Sequence, residues 1–359
     1  MTVVHQFIHS LVPRDAISNH ARCVRSVLVE MGVAGNTYVW ESRGTKFRET
    51  RPFHSFDSLS SQPGTHALYQ LATGSCIAPI LRDSPVPLMV NYHNITPSDL
   101  FDPWEPHVGA ELENGMRQLR ELAPRTELAI AVSSYNEEEL RSLGYRQTTV
   151  VPILFDTAGF DHRADPNLLE KLQKEKRGSV WLFVGRITPN KCQHDLLKAF
   201  AFYRQIFDPD AQLYLIGGSS SHAYSQALEQ FISTAGLSDS VTIAGSVSDE
   251  ELSAYYKNAD VFVCVSEHEG FCVPLLEAMF HDLPIVAYRA AAVPETLDSA
   301  GLLLNDKSPA VFSTAVHRVL DDEALRKQLI TAGTTRLAEF SLERTKSEFA
   351  AALGKVVKS

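Results

Sequence analysis

The sequence predicts an α/β protein of two consecutive Rossmann-like domains, and three observations carry that expectation. The chain has 359 residues, more than one hydrophobic core usually serves. Short β-branched apolar runs alternate with amphipathic stretches along almost its whole length, as parallel α/β units do. The alternation pauses once, over residues 156–178, where Asp, Pro, His and a Lys-rich amphipathic piece carry no strand signal. Domains are therefore expected over 1–155 and 179–338, joined by a linker at 156–178. A helix over 339–359 is expected to pack back on the first domain.

In the first half the strand candidates are Val3–Ile8, Thr37–Trp40, His66–Leu71, Leu88–Tyr92, Leu128–Val132 and Thr148–Ile153. Helices are expected over 18–31, 105–122 and 134–142, the last opened by a capping box between Ser134 and Glu137. In the second half the strands are expected at Val180–Val184, Leu213–Ile216, Val241–Ala244, Val261–Val265, Ile285–Ala287 and Leu302–Leu304. Two such halves place a ligand cleft at the carboxyl ends of their strands.

Composition narrows the function classes. A hydrophobic content of 44% with 21% charged residues is that of a globular protein. The net charge of -10 argues against a partner gripped by its nucleic-acid phosphates, so anions must be bound by local devices. The five cysteines form no Cys-x-x-Cys pair, which reads as reduced thiols in a cytoplasmic protein. The N-terminus lacks a basic, apolar leader, and no run reaches the roughly 18 apolar residues of a membrane span. Any membrane contact is expected to be peripheral, at the inner face. The stripe Leu112, Met116, Leu119 and Leu122 reads as core packing, since Glu111, Glu113 and Glu121 offset the nearby arginines.

The most informative segment is Ser266-Glu-His-Glu-Gly-Phe-Cys-Val-Pro-Leu-Leu-Glu-Ala-Met279. A strand runs into a short loop, and Pro274 stands where a helix starts. Backbone N–H groups around Phe271, Cys272 and Val273 would then point outward at a helix N-terminus, a site suited to phosphate. Glu269 precedes it and Glu277 lies one turn inside. Two carboxylates beside a phosphate cradle make sense if they bind hydroxyls, as on a sugar and a ribose. A second segment, Phe183-Val-Gly-Arg-Ile-Thr-Pro-Asn-Lys191, follows the second domain's first strand. Gly185 permits a tight turn, after which Arg186 and Lys191 either neutralise a diphosphate leaving group without a metal or are cations on a solvated loop.

Together the two segments resemble the retaining family-four glycosyltransferases of the GT-B fold, over nearly the whole chain. The family's Glu-x7-Glu signature matches at Glu269 and Glu277, with Gly270, Phe271 and Pro274 between them. Its Gly-Arg…Lys element matches at Gly185, Arg186 and Lys191. Ala287–Leu297, with Pro294-Glu295, is similar to the family's later Gly-Gly-x-Pro-Glu turn, although Ala291 and Ala292 replace the glycines.

The resemblance implies two domains facing each other across a cleft and a nucleoside-diphosphate sugar, UDP- or GDP-linked, as donor. Glu269 would contact the transferred sugar, Glu277 the ribose, and Arg186 and Lys191 the diphosphate. Gly270 and the N–H groups near Phe271–Val273 would assist, and Gly245-Ser246-Val247 would approach the base. His93, in Asn91-Tyr-His-Asn-Ile-Thr96, would stand near the reacting sugar; a structural hydrogen-bonder is the alternative. No metal and no cofactor is implied. One departure matters: family members commonly carry Gly-Gly in the first β-to-α loop, where this chain reads Val12-Pro-Arg-Asp-Ala-Ile-Ser-Asn-His20. Arg14, Asp15, Ser18 and Asn19 offer side chains to an acceptor, or Ser18 caps the following helix.

Asp208-Pro-Asp210 matches the Asp-x-Asp pattern of metal-dependent transferases but reads better as turn residues before a strand. Gly217-Gly-Ser-Ser-Ser lacks the order of a nicotinamide fingerprint. The expected activity is hexosyl transfer with retention to a hydroxyl acceptor, by family prevalence a bacterial surface polysaccharide or glycolipid precursor. The alternatives are a GT-B-like sugar-nucleotide epimerase, a phosphorolytic enzyme, or a nucleotide-sugar-binding subunit without turnover.

Overall fold

In a computed structural model, residues 2–13, 15–42, 50–56, 64–156 and 163–357 are described. The chain divides into two compact units. Met1–Ser98, His107–Phe155 and Phe340–Ser359 form the first; Asp99–Pro106 and Asp156–Glu339 form the second.

The first unit runs β1 (Val3–Leu11), α1 (Ala16–Glu30), β2 (Thr37–Ser42), β3 (Thr50–Pro52), β4 (Thr65–Leu71), α2 (Ile77–Asp83), β5 (Leu88–Tyr92), α3 (Pro106–Leu122), β6 (Thr126–Ala131), α4 (Ser134–Ser142) and β7 (Thr148–Val150). Its seven strands lie in the order β3-β2-β1-β4-β5-β6-β7, all parallel, with Phe7 of β1 opposite Tyr38 on one side and Tyr69 on the other. All five residues of β5 are buried, because helices cover both faces of a parallel sheet. That is why Leu88–Tyr92 reads as a continuous apolar run rather than an alternation. Leu119 and Leu122 of α3 are buried, with Leu112 and Met116 packed against the same core, so this stripe does face inward.

The second unit runs α5 (Pro166–Glu175), β8 (Val180–Val184), α6 (Gln193–Ile206), β9 (Gln212–Ile216), α7 (His222–Thr234), β10 (Val241–Gly245), α8 (Asp249–Asn258), β11 (Val261–Cys264), α9 (Val273–Phe280), β12 (Ile285–Tyr288), α10 (Val293–Leu297), β13 (Leu302–Leu304), α11 (Pro309–Asp321) and α12 (Glu323–Glu339). Its six strands are parallel, in the order β10-β9-β8-β11-β12-β13. Trp181 fills the core beneath Phe200 and Phe312, its ring centroid 5.4 Å from that of Phe200.

The last helix, α13 (Leu342–Leu353), belongs to the first unit. Phe349 and Leu353 are fully buried in a cluster with Val24, Val27 and Leu28 of α1, each such side chain stabilising the fold by about 1.5–3 kcal/mol. Lys346 Nζ, 2.7 Å from Glu30 Oε1, ties the edge of that contact.

Two local expectations are corrected. Residues 163–178 are no simple tether: α5 is capped by Asp165, whose carboxylate accepts from the Leu168 N–H at 2.8 Å, and the Asp165 N–H donates to Glu250 O at 3.0 Å. The helix packs on α8 as part of the second unit; a helix preceding a domain's first strand gives no strand signal. Residues 157–162 of the expected linker lie outside the described residues. The capping box was misplaced as well. α4 is capped by Ser133, which accepts from the Asn136 N–H, and Glu137 instead pairs with Arg141 at 3.0 Å. A reciprocal box does occur at the start of α8, between Ser248 and Glu251. Among the described residues no helix is long and apolar enough to cross a membrane.

Candidate functional site

In the second sheet the order of travel reverses beside β8: β9 and β10 extend one way, β11 to β13 the other. Ligands of open α/β sheets bind at the carboxyl ends of the strands flanking such a reversal. Both segments singled out for chemistry leave β8 and β11 at this point.

Three loops on the β8 side are stitched together through backbone bonds. The Gly185 N–H donates to Ile216 O at 2.9 Å, the Ile187 N–H to Gly218 O at 3.0 Å, and the Gly217 N–H to Gly245 O at 2.9 Å. Gly217 has φ +143, and a Cβ there would sit 2.0 Å from the Gly185 carbonyl oxygen, so no other residue fits. A Cβ on Gly218 would lie 2.8 Å from Ser246 Oγ. Gly217 and Gly218 therefore join the expected Gly185 and Gly245-Ser246-Val247 in one floor. Sequence reasoning missed this pair because it asked only whether they formed a nicotinamide fingerprint. Their place after β9 was the usable signal.

Asn190 links the two sides of the reversal. Its carbonyl accepts from the Glu267 N–H at 2.9 Å, and its side chain donates to His268 O at 3.3 Å while accepting from Thr188 Oγ1 at 2.8 Å. The next residue, Lys191, is thereby held with Nζ 2.5 Å from Glu269 Oε1, the side chains only 15% and 9% exposed. Two expected site residues are thus paired. Arg186 is exposed and forms no ion pair among the described residues.

The loop after β11 is fixed from below. Glu269 O accepts from the Ala292 N–H at 3.2 Å, and Phe271 O accepts from Thr296 Oγ1 at 2.6 Å. Ala291, where the resembling family has glycine, retains a left-handed φ of 46, a conformation that costs an L-residue about 1–2 kcal/mol. His268 is buried, and desolvation pushes its pKa down to about 4, so it is neutral. Cys272 takes φ 72 and delivers the chain into α9 without a side-chain cap. No hydrogen bond among the described residues takes the N–H of Cys272 or Val273, so both remain available to an anion at the helix start.

Glu277, one turn into α9, is buried and accepts from Tyr256 Oη–H at 2.7 Å. Burial raises its pKa to about 7, the Tyr256 bond opposing and Asp249 adding to the rise. Tyr256 is in turn stacked on His281, with centroids 4.7 Å apart. Nothing in the spacing of the sequence marked Tyr256 as the partner.

In the first unit, Arg14 lies outside the described residues. Asp15, not Ser18, caps α1, accepting from the Ser18 N–H at 2.9 Å and the Ser18 hydroxyl at 2.8 Å. Ser18 Oγ also accepts from the Val12 N–H at 3.0 Å and is fully buried. Asn19 Oδ1 accepts from the Arg22 guanidinium. His93 follows β5, its N–H donating to Leu71 O at 2.9 Å and its Nε2 lying 2.6 Å from Gln70 Oε1. With a proton on Nε2 for that bond, Nδ1 carries a lone pair, buried and without a partner. Burial pushes its pKa down to about 3, so the ring is neutral. Gln70 also accepts from Asn91 Nδ2 at 2.9 Å and donates to Gln6 Oε1 at 3.0 Å, which fixes the His93 ring in a buried polar chain.

Asp208 Oδ2 accepts from the Ser179 N–H and hydroxyl, both at 2.7 Å, and Oδ1 from the Asp210 N–H at 3.0 Å. The carboxylate is engaged in closing the turn before β9.

Residues 165–336 match the family model described as "Glycosyl transferases group 1". A D-inositol 3-phosphate glycosyltransferase from Geodermatophilus obscurus is 32% identical over 217 residues, 58% of this chain and 47% of that protein. An O-antigen chain mannosyltransferase B from Escherichia coli is 25% identical over 261 residues, 71% of this chain and 67% of that protein. The chain spans about half the length of the inositol phosphate relatives it matches. HepE from Anabaena, in complex with UDP and glucose, has a TM-score of 0.73 at 18% identity, covering 99% of this chain and 100% of that one. The likeness identifies the fold as GT-B, two parallel-sheet α/β domains.

Proposed function

We propose, from the match of residues 165–336 to the group 1 glycosyl transferase model, that the chain moves a hexose from a nucleoside-diphosphate sugar to a hydroxyl acceptor. The observation that carries this reading is the buried Lys191–Glu269 pair, 2.5 Å apart, on the loop that leads to the open N–H groups starting α9. A cation, a carboxylate and a helix N-terminus match the three parts of such a donor: diphosphate, sugar hydroxyls and the charge that develops between them.

In this reading Lys191 leaves Glu269 for the diphosphate when donor arrives, joined by Arg186 and the N–H groups of Cys272 and Val273. Glu269 then accepts from sugar hydroxyls, and Glu277, oriented by Tyr256, from the ribose. Gly185, Gly217, Gly218 and Gly245-Ser246-Val247 bring bare backbone up to the nucleotide, and His93 Nδ1 accepts from the reacting sugar. The sugar–diphosphate bond breaks as the acceptor oxygen bonds the same face of C1. The acceptor's proton passes to the departing phosphate oxygen, so configuration is retained and no metal or cofactor takes part. The relatives' names favour a saccharide or lipid-linked acceptor; the setting in this proposal is the cytoplasm, at the inner membrane face.

The test is a thermal-shift panel of UDP, GDP, ADP and their hexose conjugates, followed by product analysis with the stabilising donor. Stabilisation by one nucleotide series and an α-configured glycoside from an α-linked donor are expected. No stabilisation by any diphosphate would sink the proposal.

A further inference from the structure

Behind the Glu269 loop lie two thiols for which the donor reading has no use as thiols. Cys264 closes β11 and Cys272 precedes α9; both are buried. Cys264 donates to Ser266 Oγ at 3.6 Å, and its sulfur lies within 4.8 Å of that of Cys272. A carboxylate oxygen of Glu269 completes the group: it and the two sulfurs all lie within 4.8 Å of one another. Cys272 holds its thiol there at φ 72, a backbone conformation that glycine adopts freely and that costs any other L-residue about 1–2 kcal/mol. The side chain, not the backbone, is what cysteine adds at this position.

We propose that Cys264, Cys272 and Glu269 bind a thiophilic divalent cation of the zinc class. Two thiolates and one carboxylate form a borderline-soft tetrahedral set, with the fourth position left to water. At zinc–sulfur bonds of about 2.3 Å, two thiolate ligands stand about 3.8 Å apart, within the spread the three donor atoms already have. On binding, each thiol gives its proton to solvent and forms a sulfur–metal bond; nothing is oxidised. The other such group among the described residues, Cys192, His194 and Asp195, is less suited. Asp195 is held by two ammonium groups, Lys307 at 2.8 Å and Lys198 at 3.0 Å, whereas Glu269 meets one, Lys191 at 2.5 Å, which must leave the carboxylate for a cation as it must for a donor. Resting on the reading of Glu269 as a sugar contact, the consequence is inhibition: a bound cation withdraws that carboxylate from the donor.

The experiment titrates Cd2+ into the reduced full chain, followed by ultraviolet thiolate-to-metal charge-transfer absorption, with Zn2+ binding measured by calorimetry. One equivalent should bind with a charge-transfer band in the parent and in Cys192→Ala. The band should vanish in Cys264→Ala and in Cys272→Gly, the latter a substitution its backbone favours, with melting temperatures showing that both variants fold. A missing band in the parent, or one unaltered in folded Cys264→Ala, overturns the site. One equivalent of Zn2+ should also lower hexosyl transfer about tenfold, leaving the turnover of Cys264→Ala insensitive to it. Metal binding without inhibition leaves the cation site standing and counts against Glu269 as a sugar contact.

Discussion

Replacing Glu277 by Gln should make the ligand-free protein more stable at pH 8 and leave it unchanged at pH 4. Glu277 is buried beside Tyr256, and its pKa is raised from 4.5 to about 7, chiefly by burial. Below pH 4.5 the carboxyl is neutral in folded and unfolded chains alike, and its contribution to stability is fully present. Between 4.5 and about 7 the unfolded chain releases the proton while the folded one keeps it. Stability then falls by about 1.4 kcal/mol per pH unit, and the loss, about 3 kcal/mol in all, is complete above the folded pKa. Glutamine keeps the shape and the Tyr256 bond without ionising, so the variant escapes this loss. A difference of that size moves the melting midpoint of a unit this large by about 6–12 °C. Melts of both proteins from pH 4 to 8.5, followed by fluorescence of buried Trp181, measure it. Parallel curves through pH 7 would show that Glu277 does not ionise in the folded site and would refute the reasoning. The same variant should bind nucleoside diphosphate more weakly than the parent above pH 7, where the ionised carboxylate accepts from ribose.

Glu269→Gln should bind nucleoside diphosphate nearly as the parent does yet lose most transfer, which calorimetry and a turnover assay on one preparation separate. His93→Ala should lower kcat by about 10²–10³, or 3–4 kcal/mol, with nucleotide affinity unchanged; a variant that melts early and whose activity tracks its folded fraction would mark the histidine as structural. Turnover should survive excess EDTA, and activity lost on chelation but restored by magnesium or manganese would reopen a role for Asp208 and Asp210. Gly217→Ala should destabilise the second unit by about 3 kcal/mol or more, because its Cβ would lie 2.0 Å from Gly185 O; urea melts at fixed pH read this directly.

Two kinds of information were legible before any tertiary structure. Strand positions follow from apolar runs that a doubly covered parallel sheet must bury on both faces, and Leu88–Tyr92, Val180–Val184 and Leu302–Leu304 fall at the boundaries those runs predict. Pro274 and the glutamates around it marked a strand–loop–helix junction because proline, loop and helix each impose a local rule. Where sequence reasoning slipped, at Ser134 and over residues 163–178, neighbouring serines or an isolated helix satisfied the local rule equally well, and only packing chose between them. Contacts between distant segments left no such trace. That Lys191 meets Glu269 depends on Asn190 joining the β8 and β11 loops, and that Gly217 must lack a side chain depends on the Gly185 carbonyl beneath it. The raised pKa of Glu277 likewise comes from burial against Tyr256, a neighbour supplied by another helix. Local backbone preference and hydrophobic period are written along the chain; desolvation, charge pairing and close backbone approach exist only once the strand order 10-9-8-11-12-13 brings those loops side by side.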